Sequence, residues 1–213
     1  MRRWTDRVAH DLKGPLAPIQ TATFLLRSDV LPPERQRELI DVIDRQTRRL
    51  NRMIEEFGDW NRAEQQRLVG QRVRTPLAMV LDLAIGSVPG LSTDPRFAAG
   101  LEAAEVEADE SRLVQLFNTL LAHLSARDPA HSPELHVEPA PAGLRVVLAD
   151  RGPALDEAGA AGLFDAPLPA PADEGLGLRL LIADAIARAH GGQLRASPRD
   201  GGGLQFECEL PLA

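Results

Sequence analysis

The spacing of the apolar residues changes near residue 65, and this change divides the chain into two parts. Before that point, two stretches repeat their apolar side chains every three to four residues, the period of one helix face. The first contains Val8, Leu12, Leu16, Ile19 and Leu26, with Thr23 at the same spacing, and the second contains Leu39, Ile43, Leu50, Ile54 and Phe57, with Gln46 as its one polar break. Pro32-Pro33-Glu34 lies between them, and proline before an acidic first turn is a helix-start signal. We predict one helix over residues 3–28 and a second that ends near Trp60.

Two amphipathic helices joined by a short turn form a hairpin that leaves part of its apolar seam uncovered. Pairing of two such hairpins in a four-helix bundle covers that seam. The sequence therefore predicts a helical hairpin domain over residues 1–65 that forms a homodimer.

Short strands and turn-rich segments follow in residues 66–213. The patterns predict helices over 77–85, 109–124 and 178–189, and strands over 135–137, 144–148, 193–196 and 204–210. Because these elements do not alternate strictly, we expect an α+β fold in which this second domain is a two-layer α/β sandwich. Residues 156–174 are rich in Ala, Pro, Asp and Glu, and they predict an unstructured lid over about 154–175.

Charge and cysteine content exclude several classes of function. The 213 residues carry a net charge of −7, which argues against nucleic acid or an anionic membrane surface as the main partner. No apolar run approaches the roughly 20 residues of a membrane helix, so we expect no membrane segment and a cytoplasmic location. Cys208 is the single cysteine, which leaves neither an intrachain disulfide nor a thiolate metal cluster. The alternation around Cys208 predicts a buried strand residue.

The segment Val8–Leu16 holds the residues best suited to covalent chemistry. His10 is followed by Asp11 in the middle of the first predicted helix. A neutral imidazole offers one ring nitrogen for attack on a phosphoryl group, and a carboxylate that accepts the other ring N–H improves the nucleophile. Pro15 has no backbone N–H for the Asp11 carbonyl, so the helix is weakened just after this pair. We expect His10 to accept phosphate and Asp11 to act as general base or orienting carboxylate.

Six segments in a fixed order carry a resemblance to a known family. They are VAHDLKGPLAPI, IDRQTRRLNRMIEE, DESRLVQLFNTLL, VVLADRGPAL, GLGLRLLIADAIARAHGG and GLQFECELPL. From Arg7 to Leu212 the chain resembles the transmitter region of bacterial two-component sensor histidine kinases. The resemblance implies a dimeric histidine-phosphotransfer domain and an ATP-binding domain of the GHKL type, as in gyrase, Hsp90 and MutL. It also implies ATP and Mg²⁺ as cofactors and a response-regulator receiver domain as partner.

The same resemblance implies roles for residues of the second domain. Asp150, followed by Gly152, matches the aspartate that accepts a hydrogen bond from the adenine amino group. Gly175, Leu176, Gly177 and Leu178 precede a helix, so their backbone N–H groups are expected to hold phosphate. Thr119 and His123 occupy the positions of two family asparagines and complete the expected nucleotide site.

Several positions depart from the family pattern. The asparagine replaced by His123 normally binds Mg²⁺, and because histidine is a poor ligand for so hard a cation, no metal ligand is predicted with confidence. In the family a basic residue usually follows on this helix. Ala126 occupies that position here, and Arg127 lies one place further on. Ala154 interrupts the first glycine box, and Asp173 replaces the leading glycine of the second, where an acid repels nucleotide.

Two classes of function follow from these observations. The first is an ATP-dependent histidine kinase that phosphorylates His10 and passes the phosphoryl group to a receiver aspartate. The second is an ATP-independent phosphotransferase or regulator-binding pseudokinase, and a pure scaffold is a weaker version of it. Only nine residues precede His10, so the input domain is expected either on another protein or in a longer chain of which this is a piece.

Overall fold

The computed structural model describes residues 8, 10–27, 31–168 and 175–213. The chain forms two compact units. The first joins the N-terminal residues as far as Asp59 with Leu168–Leu178, and the second contains Trp60–Pro167 and Arg179–Ala213. No helix among the described residues is both long enough and apolar enough to cross a membrane.

The first unit is helical, with an interruption close to its start. Residues 10–13 are helical, Gly14 and Pro15 form a turn, and helix α1 covers Leu16–Leu26. Because Pro15 has no N–H, the Asp11 carbonyl accepts a hydrogen bond from the Gly14 N–H instead, at 3.2 Å. The helix predicted over residues 3–28 is therefore interrupted where the proline weakens it. Its predicted ends, at 3–7 and 28, lie outside the described residues.

Helix α2 covers Pro33–Glu64 and begins with the proline and acidic first turn that the sequence predicts. It continues for one turn past Trp60, the predicted end. Leu39 and Met53 are buried, with 6% and 1% of their surface exposed. Ile54, which the periodicity places on the buried face, is 58% exposed. Successive helix residues differ by about 100° in direction, and in the single chain Met53 is the residue of this pair that faces inward.

The second unit contains seven strands. They are β1 (Val73–Pro76), β2 (Arg96–Phe97), β3 (Glu105–Ala108), β4 (Glu134–Ala140), β5 (Gly143–Ala149), β6 (Gln193–Pro198) and β7 (Leu204–Leu210). Five of them form a mixed sheet in the order β2-β4-β5-β7-β6, in which only the β2–β4 pair is parallel. Strands β1 and β3 form a separate antiparallel pair. The sequence does not predict β1, β2 or β3, because two to four residues are too few for a recognisable alternation.

Four helices complete this unit: α3 (Leu77–Gly86), α4 (Glu110–Arg127), α5 (Glu157–Ala161) and α6 (Arg179–Ala189). Helix α4 contacts α3, α6 and β5, and α6 contacts β6 and β7. Alternate side chains of β5 and β7 are buried, and Val146 lies opposite Cys208 in the register. This mixed sheet with helices confirms the predicted α/β sandwich.

The segment over residues 156–174 has more structure than predicted. It contains α5 and a 3₁₀-helix over Gly162–Phe164. The Phe164 ring packs against the Phe206 ring with centroids 6.0 Å apart. Packing of the Phe164 ring on Phe206 therefore helps to order a stretch whose composition alone predicts a loop. Residues 169–174, including Asp173, lie outside the described residues.

The end of α6 is closed by a glycine cap. Gly191 has a φ of +78°, and the Gly192 N–H donates to the Ala187 carbonyl at 3.0 Å. His190, which is 3% exposed, joins this end to the start of α4. Its Nε2 accepts from the Asp109 N–H at 3.1 Å, and its Nδ1–H donates to the Ile186 carbonyl at 2.8 Å. These two contacts require the neutral imidazole.

Candidate functional site

His10 is the most accessible candidate nucleophile of the predicted site. Its side chain is 88% exposed, and that of Asp11 is 41% exposed. The His10 Nδ1 lies 3.4 Å from the Asp11 Oδ1, within hydrogen-bond distance. The turn at Gly14 and Pro15 follows directly. The arrangement leaves Nε2 as the ring nitrogen available for bond formation when Nδ1–H is donated to Asp11.

Asp150 is the first residue after β5 and is 2% exposed. Its Oδ1 accepts hydrogen bonds from the Gly152 N–H at 3.1 Å and the Leu204 N–H at 2.8 Å. Its Oδ2 accepts from the Arg127 Nε–H at 2.7 Å. Arg127 is the last residue of α4, so this ion pair joins the end of α4 to the end of β5. The carboxylate that the sequence assigns to adenine is therefore already paired with a guanidinium.

The surroundings of Asp150 reinforce this pairing. Arg127 also donates through Nη2 to the Pro153 carbonyl. A Cβ atom on Gly152 would lie 2.9 Å from the Arg127 carbonyl oxygen, so glycine is required for this close approach. Arg199 donates to the Asp150 carbonyl at 3.0 Å. Sequence reasoning places Arg127 near the site but does not predict its pairing, because the two partners are 23 residues apart.

Thr119 and His123 lie one turn apart on α4. Thr119 is 8% exposed, and the His123 ring packs edge-on against Phe206 with centroids 5.8 Å apart. His123 is thus held against the aromatic core. Within the described ranges, no group of three His, Cys, Asp or Glu side chains could hold a metal ion. These side chains do not fit the hard, oxygen-rich coordination that Mg²⁺ requires.

The glycine loop, Gly175–Leu178, belongs to the first unit and directs backbone donors at an anion. That anion is the side chain of Glu56, whose Oε2 accepts from the Leu176 N–H at 2.9 Å and the Leu178 N–H at 3.3 Å. Glu56 lies on α2 and is 8% exposed. Sequence reasoning does not find Glu56, because no local pattern marks an acid 120 residues away from the loop.

The predicted residues therefore fall into two groups. His10, Asp11 and the glycine loop belong to the first unit, together with Glu56. Thr119, His123, Asp150 and Gly152 belong to the second unit, together with Arg127.

Two families account for most of the chain. Residues 1–66 match the His Kinase A (phospho-acceptor) domain. Residues 108–213 match the Histidine kinase-, DNA gyrase B-, and HSP90-like ATPase family. The first match contains the exposed histidine and both N-terminal helices, and the second contains the five-stranded sheet from β4 onward.

Two curated relatives match nearly the whole length of this chain. The C4-dicarboxylate transport sensor protein DctS of Rhodobacter capsulatus is 31% identical over 224 residues, which cover 96% of this chain and 32% of DctS. The sensor histidine kinase ZraS of Escherichia coli (strain K12) is 25% identical, covering 96% of this chain and 44% of ZraS. The chain thus spans less than half the length of these relatives.

Solved structures share the fold. The Acinetobacter baumannii histidine kinase AdeS superposes with a TM-score of 0.74 at 18% identity, covering 95% of this chain and 98% of the solved AdeS chain. The histidine kinase ThkA, solved in complex with the response regulator protein TrrA, superposes with a TM-score of 0.74 at 21% identity. That match covers 99% of this chain and 61% of the ThkA chain.

Proposed function

The chain belongs to the histidine kinases that join a phospho-acceptor domain to an ATPase domain, and we propose that it autophosphorylates on His10 from ATP. It then transfers the phosphoryl group to an aspartate of a response-regulator receiver domain. The observation that carries this proposal is the 88% exposed imidazole of His10 with the Asp11 carboxylate at 3.4 Å, inside the phospho-acceptor match.

The chemistry follows from that pair. The Asp11 carboxylate accepts the Nδ1–H of His10, which leaves the Nε2 lone pair free to attack the γ-phosphorus of ATP. A bond forms between Nε2 and phosphorus, the bond from phosphorus to the β,γ-bridging oxygen breaks, and ADP leaves with that electron pair. Asp11 stabilises the positive ring that results. A receiver aspartate oxygen then attacks phosphorus and releases the neutral imidazole.

ATP is the substrate, and two features support its binding. The backbone N–H groups of the glycine loop suit phosphate oxygens, and Asp150 suits the adenine amino group. Glu56 accepts hydrogen bonds from the glycine loop, and Arg127 pairs with Asp150. Because both groups are already engaged, we infer weak nucleotide affinity and slow phosphorylation. By the family resemblance, His123 occupies the position of an asparagine that binds Mg²⁺. Because phosphoryl transfer depends on charge stabilisation, this substitution also lowers the expected rate.

The partners that we infer are a second copy of the chain and a receiver domain. Phe24, Ile40 and Ile54 in the helical region are 75%, 55% and 58% exposed. Burial of such apolar side chains in a four-helix bundle would stabilise a homodimer. The ThkA complex with the response regulator protein TrrA supports a receiver as partner.

The Arg127–Asp150 ion pair favours a second candidate function. If this pair persists, the chain does not bind ATP, and His10 instead receives its phosphoryl group from a phosphorylated receiver domain. His10 and Asp11 keep the same chemical roles in that reaction, and only the phosphoryl donor differs.

Incubation with γ-labelled ATP and Mg²⁺ tests the two candidates. The kinase predicts acid-labile, alkali-stable label on the wild type, no label on His10→Gln and reduced label on Asp11→Asn. Absence of label from ATP, with His10-dependent label from a phosphorylated receiver, would instead establish the phosphotransferase. A Phe24→Asp variant that remains as dimeric as the wild type by light scattering would contradict the proposed interface.

A further inference from the structure

Glu56 is a charged side chain on the buried face of α2, three residues after Met53. Transfer of a carboxylate out of water is unfavourable unless hydrogen-bond donors replace the lost water. Leu176 and Leu178 supply two such donors from the backbone, both to the Oε2 atom. The two amides of the glycine loop therefore offset part of the cost of burying this carboxylate.

The loop in turn is shaped around this carboxylate. A Cβ atom on Gly175 would lie only 2.0 Å from the Glu56 Oε1, so the Glu56 carboxylate would have to shift if residue 175 carried a side chain. Gly177 has a φ of +76°, and its carbonyl accepts from the Leu168 N–H at 3.0 Å. The positive φ turns the chain so that the N–H groups on either side of Gly177 reach one oxygen atom. Such convergent backbone donors bind a carboxylate oxygen or a phosphate oxygen by the same hydrogen bonds.

We propose that Glu56 is an internal anion that occupies the phosphate-binding amides of the glycine loop, so that nucleotide and Glu56 bind the loop in competition. The inference rests on the proposed function, in which this loop holds the phosphates of ATP. The carboxylate and a phosphate are both negative and need the same two N–H groups, so they cannot be bound together. Nucleotide therefore binds only when the loop has left Glu56.

This competition couples the nucleotide to helix α2. Any change that withdraws Glu56 from the loop strengthens nucleotide binding, and bound nucleotide weakens the contact between the loop and α2 by the same factor. The contact thereby makes nucleotide affinity depend on the state of the helical region. Glu56 acts through the loop and is a regulatory residue rather than a catalytic one.

Amide hydrogen exchange and ATP titration of the full chain test the proposal. Glu56→Gln keeps the size of the side chain and removes its charge. We expect exchange at the Leu176 and Leu178 amides to accelerate, and ATP affinity to rise about tenfold, which corresponds to about 1.4 kcal/mol. Glu55→Gln is the matched control, because Glu55 is an exposed neighbour on the same helix and its substitution changes the net charge equally. We expect neither readout to change in this control.

Gly175→Ala provides a second, independent variant. It leaves the residue at position 56 unchanged, but the added methyl group displaces the Glu56 carboxylate from the loop. Exchange at Leu176 and Leu178 should therefore again accelerate without nucleotide. Unchanged exchange in both Glu56→Gln and Gly175→Ala would overturn the contact. Faster exchange in Glu56→Gln without a gain in ATP affinity would overturn the competition, whether or not His10 can be labelled. Tighter ATP binding with no label on His10 would contradict the proposed function and support this inference.

Discussion

Removal of the Arg127 guanidinium should destabilise the second unit far more than removal of the Arg151 guanidinium. Asp150 has a fully buried side chain, and Arg127 beside it is 17% exposed. Arg151 pairs with Glu134 at 2.6 Å, but these two side chains are 63% and 34% exposed. Arg127→Met and Arg151→Met therefore remove the same group, one from a buried pair and one from a surface pair.

The expected difference follows from burial. Loss of one partner from a buried ion pair costs about 3–5 kcal/mol, because it leaves an uncompensated charge. Asp150 keeps two backbone donors, from Gly152 and Leu204, so we expect Arg127→Met to lose about 2–3 kcal/mol. A surface pair contributes about 0–1 kcal/mol, which sets the expected effect of Arg151→Met.

Urea unfolding followed by circular dichroism measures both variants on the full chain. A second substitution, Asp150→Asn in the Arg127→Met background, should recover part of the loss because a neutral amide needs no cation. In the same variants, Arg127→Met should bind ATP more tightly than the wild type, since the acceptor expected for adenine is released. Equal losses for Arg127→Met and Arg151→Met, within about 0.5 kcal/mol, would show that burial does not strengthen the Arg127–Asp150 pair.

Four further residues give separate predictions. Burial lowers the pKa of His190. Below pH 6.5 the unfolded chain therefore binds a proton at His190 that the folded chain does not. As the pH is lowered from 6.5, the free energy of unfolding should fall by up to about 1.4 kcal/mol for each pH unit. His190→Gln should flatten this slope in urea titrations. Burial raises the pKa of Cys208 to about 12, so a thiol reagent at pH 8 should modify the unfolded chain much faster than the folded one. Phe117→Ala should lower the free energy of unfolding by about 3–5 kcal/mol, because Phe117 is fully buried. Phe24→Ala should change the stability of the isolated chain by less than about 0.5 kcal/mol and weaken self-association in sedimentation experiments.

Local patterns in the sequence predict the long elements well. Helix α4 and strand β7 each have a clear apolar period, and the structure contains both within a few residues of the predicted bounds. The His10–Asp11 contact is also predictable, because neighbours in sequence are neighbours in space. The short strands β1, β2 and β3 have no period of their own and form through pairing with distant residues.

The contacts that alter the candidate site are all long-range. Arg127 reaches Asp150 across 23 residues, and Glu56 reaches Leu176 across 120. A sequence pattern shows that a carboxylate or a set of backbone donors is present, but it does not show which side chain of the same chain will bind to it. The sequence therefore predicts what Asp150 and the glycine loop can bind, but not that Arg127 and Glu56 already bind them.

Mass spectrometry of the chain after incubation with ATP and Mg²⁺, at alkaline pH where phosphohistidine survives, shows directly whether ATP phosphorylates His10. We expect a phosphoryl group on the peptide that contains His10, with more of it in Glu56→Gln than in the wild type and none in His10→Gln. An unmodified His10 peptide in both the wild type and Glu56→Gln, under conditions in which a phosphorylated receiver does modify it, would contradict an ATP-dependent kinase.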